Sequence, residues 1–105
     1  MLFLLSLGTL SPTGSVPAGQ SASPKTYTVE IKGFKFVPEK LEVNVGDTVI
    51  WKDEDIVPHT ATSAKVFDSK GIDPGKSWSY VATKKGTHLY ICSFHPTMKG
   101  ELDVK

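Results

Sequence analysis

From Thr26 onward the chain alternates apolar and polar residues with a period of two, and no run of ten residues carries helical spacing. Period two sends successive side chains to opposite faces of an extended strand, so each run has one face to bury and one to leave in water. The runs are Val29 with Ile31, Phe34 with Phe36, Leu41 with Val43 and Val45, and Val49 with Trp51, broken by Gly33, Pro38 and a Gly46-Asp47 turn. A second set follows: Trp78, Tyr80 and Ala82 on one face, a Lys84-Lys85-Gly86 turn, His88 to Cys92, and finally Glu101 to Lys105. About six to eight short strands in a chain of this size predict an all-β, antiparallel β-sandwich. The stretch from Lys52 to Pro74 is the widest irregular excursion, and binding residues favour such loops.

The start of the chain has a different character. Met1 to Leu10 is almost wholly apolar, and residues 11–24 form an uncharged Ser/Pro/Gly/Ala stretch. The apolar run is far shorter than the ~20 residues of a membrane-spanning helix and matches the apolar region of a secretory signal. Val16-Pro17-Ala18 and Ala22 offer small residues for cleavage. Residues 1–22 are therefore expected to be a secretory segment and tail, and residues 23–105 the folded domain. Export to the periplasm or an equivalent compartment follows. An uncleaved segment would instead act as a membrane tether.

Charge and cysteine content narrow the function. Twelve basic residues, all Lys, face 11 acidic ones, a net charge of +1. Without a basic block or an Arg fork, nucleic acid is not expected as a partner. One Cys excludes an internal disulfide and a four-thiolate zinc site.

The chemistry gathers in Tyr90-Ile91-Cys92-Ser93-Phe94-His95-Pro96-Thr97-Met98-Lys99-Gly100. A thiolate, an imidazole and a thioether fall three residues apart, at a strand end where Pro96, lacking an N–H, is expected to stop the ladder. Thiolate and thioether are soft ligands and imidazole is borderline. Two His with one Cys and a weak axial Met is the donor set that suits copper cycling between Cu(I) and Cu(II). The second His must come from elsewhere. His88 precedes Cys92 by four residues on one extended strand, about 13 Å away at ~3.3 Å per residue, too far to share an ion. His59, in Ile56-Val57-Pro58-His59-Thr60 beyond the Val49–Trp51 strand, is the remaining candidate.

With Gly86-Thr87-x-x-Tyr90-x-Cys92, the Cys92-x-x-His95 core and His59 upstream, the stretch from Tyr27 to Lys105 resembles the cupredoxins, the type 1 blue-copper family. Two residues between His95 and Met98, and Pro58 before His59, are similar to the amicyanins within that family. The resemblance implies an antiparallel Greek-key β-sandwich of about 7–8 strands and one type 1 copper ion bound by His59, Cys92, His95 and Met98. It also implies a monomeric one-electron carrier, not an enzyme, that binds redox proteins such as a c-type cytochrome or a dehydrogenase or oxidase transiently. His95 would then be the point of electron entry, framed by Val57, Pro58, Phe94 and Pro96. Where many relatives have Asn after the first His, this chain has Thr60, with Ser93 available to restore a link between the two copper loops. A hydrogen bond to the Cys92 sulfur is expected from a backbone N–H in the Cys92–Met98 loop.

Other residues are expected to have plain roles. His88 reads as a partly buried His with a hydrogen-bond partner, Asp53-Glu54-Asp55 as a solvated loop, the Lys residues as solvated surface, and Trp51 and Trp78 as core aromatics. Two other classes of function remain in view. A copper carrier would use the same four ligands but hand over the metal. A plain β-sandwich interaction module would hold no ion and gain no stability from copper.

Overall fold

The computed structural model describes residues 23–105, so the expected secretory segment at 1–22 lies outside the described residues. The alternating runs form nine strands: β1 (Thr26–Lys32), β2 (Lys35–Val37), β3 (Lys40–Val43), β4 (Thr48–Asp53), β5 (Thr62–Ser63), β6 (Phe67–Asp68), β7 (Ser77–Val81), β8 (Gly86–Cys92) and β9 (His95–Val104). They pair into two sheets, in the orders β2-β1-β4-β7 and β3-β9-β8-β5-β6. The all-β sandwich is the expected one, but its sheets are mixed. β1 with β4 and β3 with β9 are parallel, the other pairs antiparallel. The chain leaves the first sheet after β2, contributes β3 to the second, and returns so that β4 runs alongside β1.

Period-two burial fills the space between the sheets. Val29, Ile31, Val49 and Trp51 from one sheet, and Tyr90, Cys92, Leu102 and Val104 from the other, are all buried in one cluster. Trp51 crosses the gap, with its ring perpendicular to Tyr90 at 5.4 Å and tilted on Phe67 at 5.2 Å. Such offset and edge-on aromatic pairs add to the hydrophobic gain of burial. Burial also pushes the Tyr90 phenol up to about 12, so it stays neutral near pH 7. Its ring occupies the space above Gly100, its partner on β9, where a Cβ would run into it.

The sandwich is closed at one turn by Asp47. Its carboxylate accepts the Lys25 N–H at 2.8 Å and the Asn44 N–H at 2.9 Å. Those two bonds hold Asp47 below the ordinary carboxylate range against the opposing effect of burial.

Three local readings change. Val45 is exposed beyond β3. Phe34 belongs to no strand: Gly33 and Phe34, with φ of 61° and 59°, form the two-residue turn between β1 and β2. Two successive positive φ values are the signature of a type I′ hairpin turn, whose twist matches the flanking strands. Finally, β9 begins at His95 rather than Glu101, so Pro96 does not end the ladder. Pairing passes from Ile91–Lys99 to Cys92–His95 with a shift in register, leaving residues 96–98 bulged, where a residue without an N–H costs no ladder bond.

Candidate metal centre

Two loops at one end of the sandwich bring the donors together. β8 delivers Cys92 to its last position, the Ser93-Phe94 turn reverses the chain, and His95 opens β9. Met98 lies in the bulge that follows and is buried. The second loop runs from the end of β4 to β5 and carries His59. A bridge to Ile72 anchors it, with His59 N–H donating to Ile72 C=O at 3.1 Å and Ile72 N–H returning to His59 C=O at 2.7 Å.

The sulfur of Cys92 stands 3.6 Å from Nδ1 of His59 and 3.7 Å from Nδ1 of His95. All three donor atoms fall within 4.8 Å of one another. A first-row ion about 2.0 Å from nitrogen and about 2.3 Å from sulfur, with ligands near 120° apart, requires N and S about 3.7 Å from each other. Both imidazole nitrogens already stand at that separation from the sulfur. Cys92 and His59 are fully buried and His95 half-buried, so the opening to solvent is at His95. His88 is elsewhere: its Nε2 meets the Lys84 C=O at 2.7 Å, the plain structural role expected of it.

The surrounding hydrogen bonds set these groups in place. Thr60 N–H donates to the Cys92 sulfur at 3.4 Å. That donor comes from the His59 loop, not from the Cys92–Met98 loop as expected, because the ladder end turns the sulfur toward Thr60. Thr60 and Ser93 do restore the link between loops: Ser93 N–H donates to Thr60 Oγ1 at 2.8 Å, and the two hydroxyl oxygens are 2.9 Å apart. A side-chain contact with Thr62 Oγ1, also at 2.9 Å, extends the chain of hydroxyls.

The acidic segment is not a solvated loop. Glu54 is exposed, but Asp53 is fully buried and Asp55 has its carboxylate turned inward. Asp55 Oδ2 lies 2.8 Å from Nε2 of His59 and accepts the Phe34 N–H at 3.0 Å, while Oδ1 accepts the Gly33 N–H at 2.7 Å. Burial raises the Asp55 carboxyl, but the Phe34 and Gly33 amides and the His59 ring outweigh it and hold the group below its ordinary value. Asp53 shifts the other way. Burial raises it, only partly offset by the Asp55 N–H that its Oδ1 accepts at 2.8 Å. Asp53, Asp55 and His59 also bring donor atoms within 4.8 Å of one another, but there Nε2 of His59 is already paired with Asp55. A ligand imidazole held through its second nitrogen by a carboxylate has its tautomer and orientation fixed, with Nδ1 left free for an ion.

Phe34 is the other residue the sequence did not assign to the site. Its ring stands perpendicular to both imidazoles, 5.1 Å from His59 and 4.9 Å from His95. Phe34, Pro58, Phe94 and Pro96 are all exposed and Val57 is half-buried.

Comparison with known proteins agrees with this geometry. A family model for the Cupredoxin-like domain matches residues 1–104. Amicyanin from Paracoccus denitrificans is 27% identical over 100 residues, spanning 90% of this chain and 76% of its own. A purple cupredoxin from Nitrosopumilus maritimus superposes with a TM-score of 0.68 at 30% identity, over 74% of this chain and 98% of that one. A copper-containing nitrite reductase from Thermus scotoductus gives 0.72 at 30% identity, over 87% of this chain but only 25% of that much longer one. The chain belongs to the cupredoxin-like family. Its cofactor is one type 1 copper ion, which the His59, Cys92 and His95 donor group fits.

Proposed function

We propose that this chain is a small exported blue-copper electron-transfer protein, with copper bound by His59, Cys92, His95 and Met98. The observation that carries the reading is the nearly equal spacing, 3.6 and 3.7 Å, of the Cys92 sulfur from the two imidazole nitrogens. Copper held there would supply one-electron chemistry. The chain's part is to hold the donors still. Asp55 fixes the His59 ring, the Thr60 N–H takes up part of the thiolate's charge, and the Thr60–Ser93 link keeps the two loops from separating. A donor set that satisfies neither oxidation state fully, and does not move between them, keeps the reorganisation on transfer small.

Four protein donors leave no open position for a substrate, which supports a carrier rather than an enzyme. The nitrite reductase neighbour is a much longer chain, of which this one matches 25%. His95, half-buried within an apolar rim, is the point of electron entry and exit, and redox proteins such as a c-type cytochrome or a dehydrogenase or oxidase dock there transiently, as small electron-transfer interfaces do. Residues 1–22 act as the secretory segment. Voltammetry of the copper-loaded domain tests the reading: a reversible one-electron wave with fast electron self-exchange is expected. Rapid loss of copper to an acceptor protein with slow self-exchange would point to metal delivery instead.

A further inference from the structure

We propose that Phe34 is a positioning residue for the copper centre, holding the imidazoles of His59 and His95 in their ligand orientations before metal arrives. The proposal rests on the blue-copper reading and adds a residue from a third segment, the β1–β2 turn, to the two copper loops. Among the described residues, Phe34, Lys65 and Lys70 are the non-glycine positions with positive φ. Both Lys residues are exposed in loops. Phe34 is different, because a bulky aromatic side chain is a poor choice for a left-handed turn position that glycine or asparagine fills easily. A strained conformation persists only where its surroundings hold it there.

The surroundings of Phe34 are the site itself. Its N–H donates to Asp55 Oδ2, the same oxygen that pairs with Nε2 of His59. One carboxylate oxygen therefore joins the Phe34 backbone to the His59 ring. The left-handed turn then brings the Phe34 ring to both imidazoles, perpendicular to each, while the two imidazoles are 5.2 Å apart. The three rings form a compact triangle beside the Cys92 sulfur. His59 has further anchors in Asp55 and the Ile72 bridge. The polar contact described for the half-buried His95 is with the sulfur, so Phe34 is the lateral support that fixes its ring plane. That Phe34 remains 48% exposed shows how little of its placement is explained by burial alone.

The test uses the copper-free domain, so it does not depend on the colour of the centre. Phe34→Gly and Phe34→Asn both suit the left-handed turn and keep the amide that Asp55 binds, but remove the ring. NMR of the histidine ring protons and nitrogens should show single, narrow His95 signals in the native chain and broadened or doubled ones in both variants, with the backbone amide spectrum of the sandwich kept. Copper affinity, measured by competition with a chelator, should fall by about 10- to 100-fold. Unchanged ring signals, or affinities within about twofold of the native chain, overturn the proposal. A native chain that fails to turn blue would instead count against the electron-transfer reading, and the copper-free comparison would still decide the role of Phe34.

Discussion

Thr60 and Ser93, one residue past His59 and one past Cys92, join the two donor loops through a Ser93 N–H···Oγ1 bond of 2.8 Å and a hydroxyl contact of 2.9 Å. Each follows a metal donor directly, so the link fixes the separation of imidazole and thiolate at the backbone. Thr60→Val keeps the shape of the side chain and leaves the Thr60 backbone N–H for the sulfur, but strands the Ser93 N–H. The bond is only part-buried, so leaving that N–H unpaired costs at most about 1–3 kcal/mol. Denaturant unfolding of the copper-free domain should show that loss, and an unchanged midpoint would mean the link does not hold the loops.

Asp55 places a negative charge on the far side of His59 from the ion. Asp55→Asn preserves its size and removes that charge. Copper affinity should fall by about 10- to 100-fold. The reduction potential should rise, because the lost charge favoured Cu(II) over Cu(I). Voltammetry checks the sign, and a potential that falls would contradict the orientation inferred for His59.

The sense of pH dependence follows from Asp53. Its carboxyl is raised above the ordinary value of 3.8, chiefly by burial, so the folded chain holds a proton that the unfolded chain has already released. The stability this group contributes is complete below pH 3.8 and is lost as pH rises through its raised folded value. Asp53→Asn removes the titration and keeps an acceptor for the Asp55 N–H. The copper-free variant should melt higher than the native chain at pH 7, with the gap closing in acid. Thermal melts across that range measure it, and a variant less stable at pH 7 would contradict the assignment.

Met98 is buried in the bulge after His95. Met98→Leu removes the thioether while keeping apolar bulk, so the centre should stay blue and shift to a higher potential. Complete loss of copper from this variant would show that Met98 is more than a weak axial donor.

The sandwich was legible because period-two burial writes itself into pairs such as Val29 with Ile31 and Val49 with Trp51. The His59, Cys92 and His95 group was legible because Cys92 and His95 share one short loop and strand geometry removed His88 in favour of His59. The mixed pairing was not, since nothing local reveals that β4 returns alongside β1 in the same direction. Phe34 and Phe36 share the spacing of a strand, and only the register Lys32–Lys35 shows that the first sits in a turn. Asp55 looked like one of three exposed acids. The two amides that turn it inward lie 21 and 22 residues back at Phe34 and Gly33, a separation that no periodic pattern marks. Pro96 marked a real interruption of pairing, but a bulge satisfies it as well as a strand end does.

In the proposed reading Cys92, His59 and His95 hold copper together. The visible and electron paramagnetic resonance spectra of the purified domain after addition of Cu(II), beside Cys92→Ser, decide this. An intense blue thiolate-to-copper band with a narrow copper hyperfine splitting is expected, both absent from the variant. A pale solution with ordinary splitting, or a Cys92→Ser protein that stays blue, would contradict it.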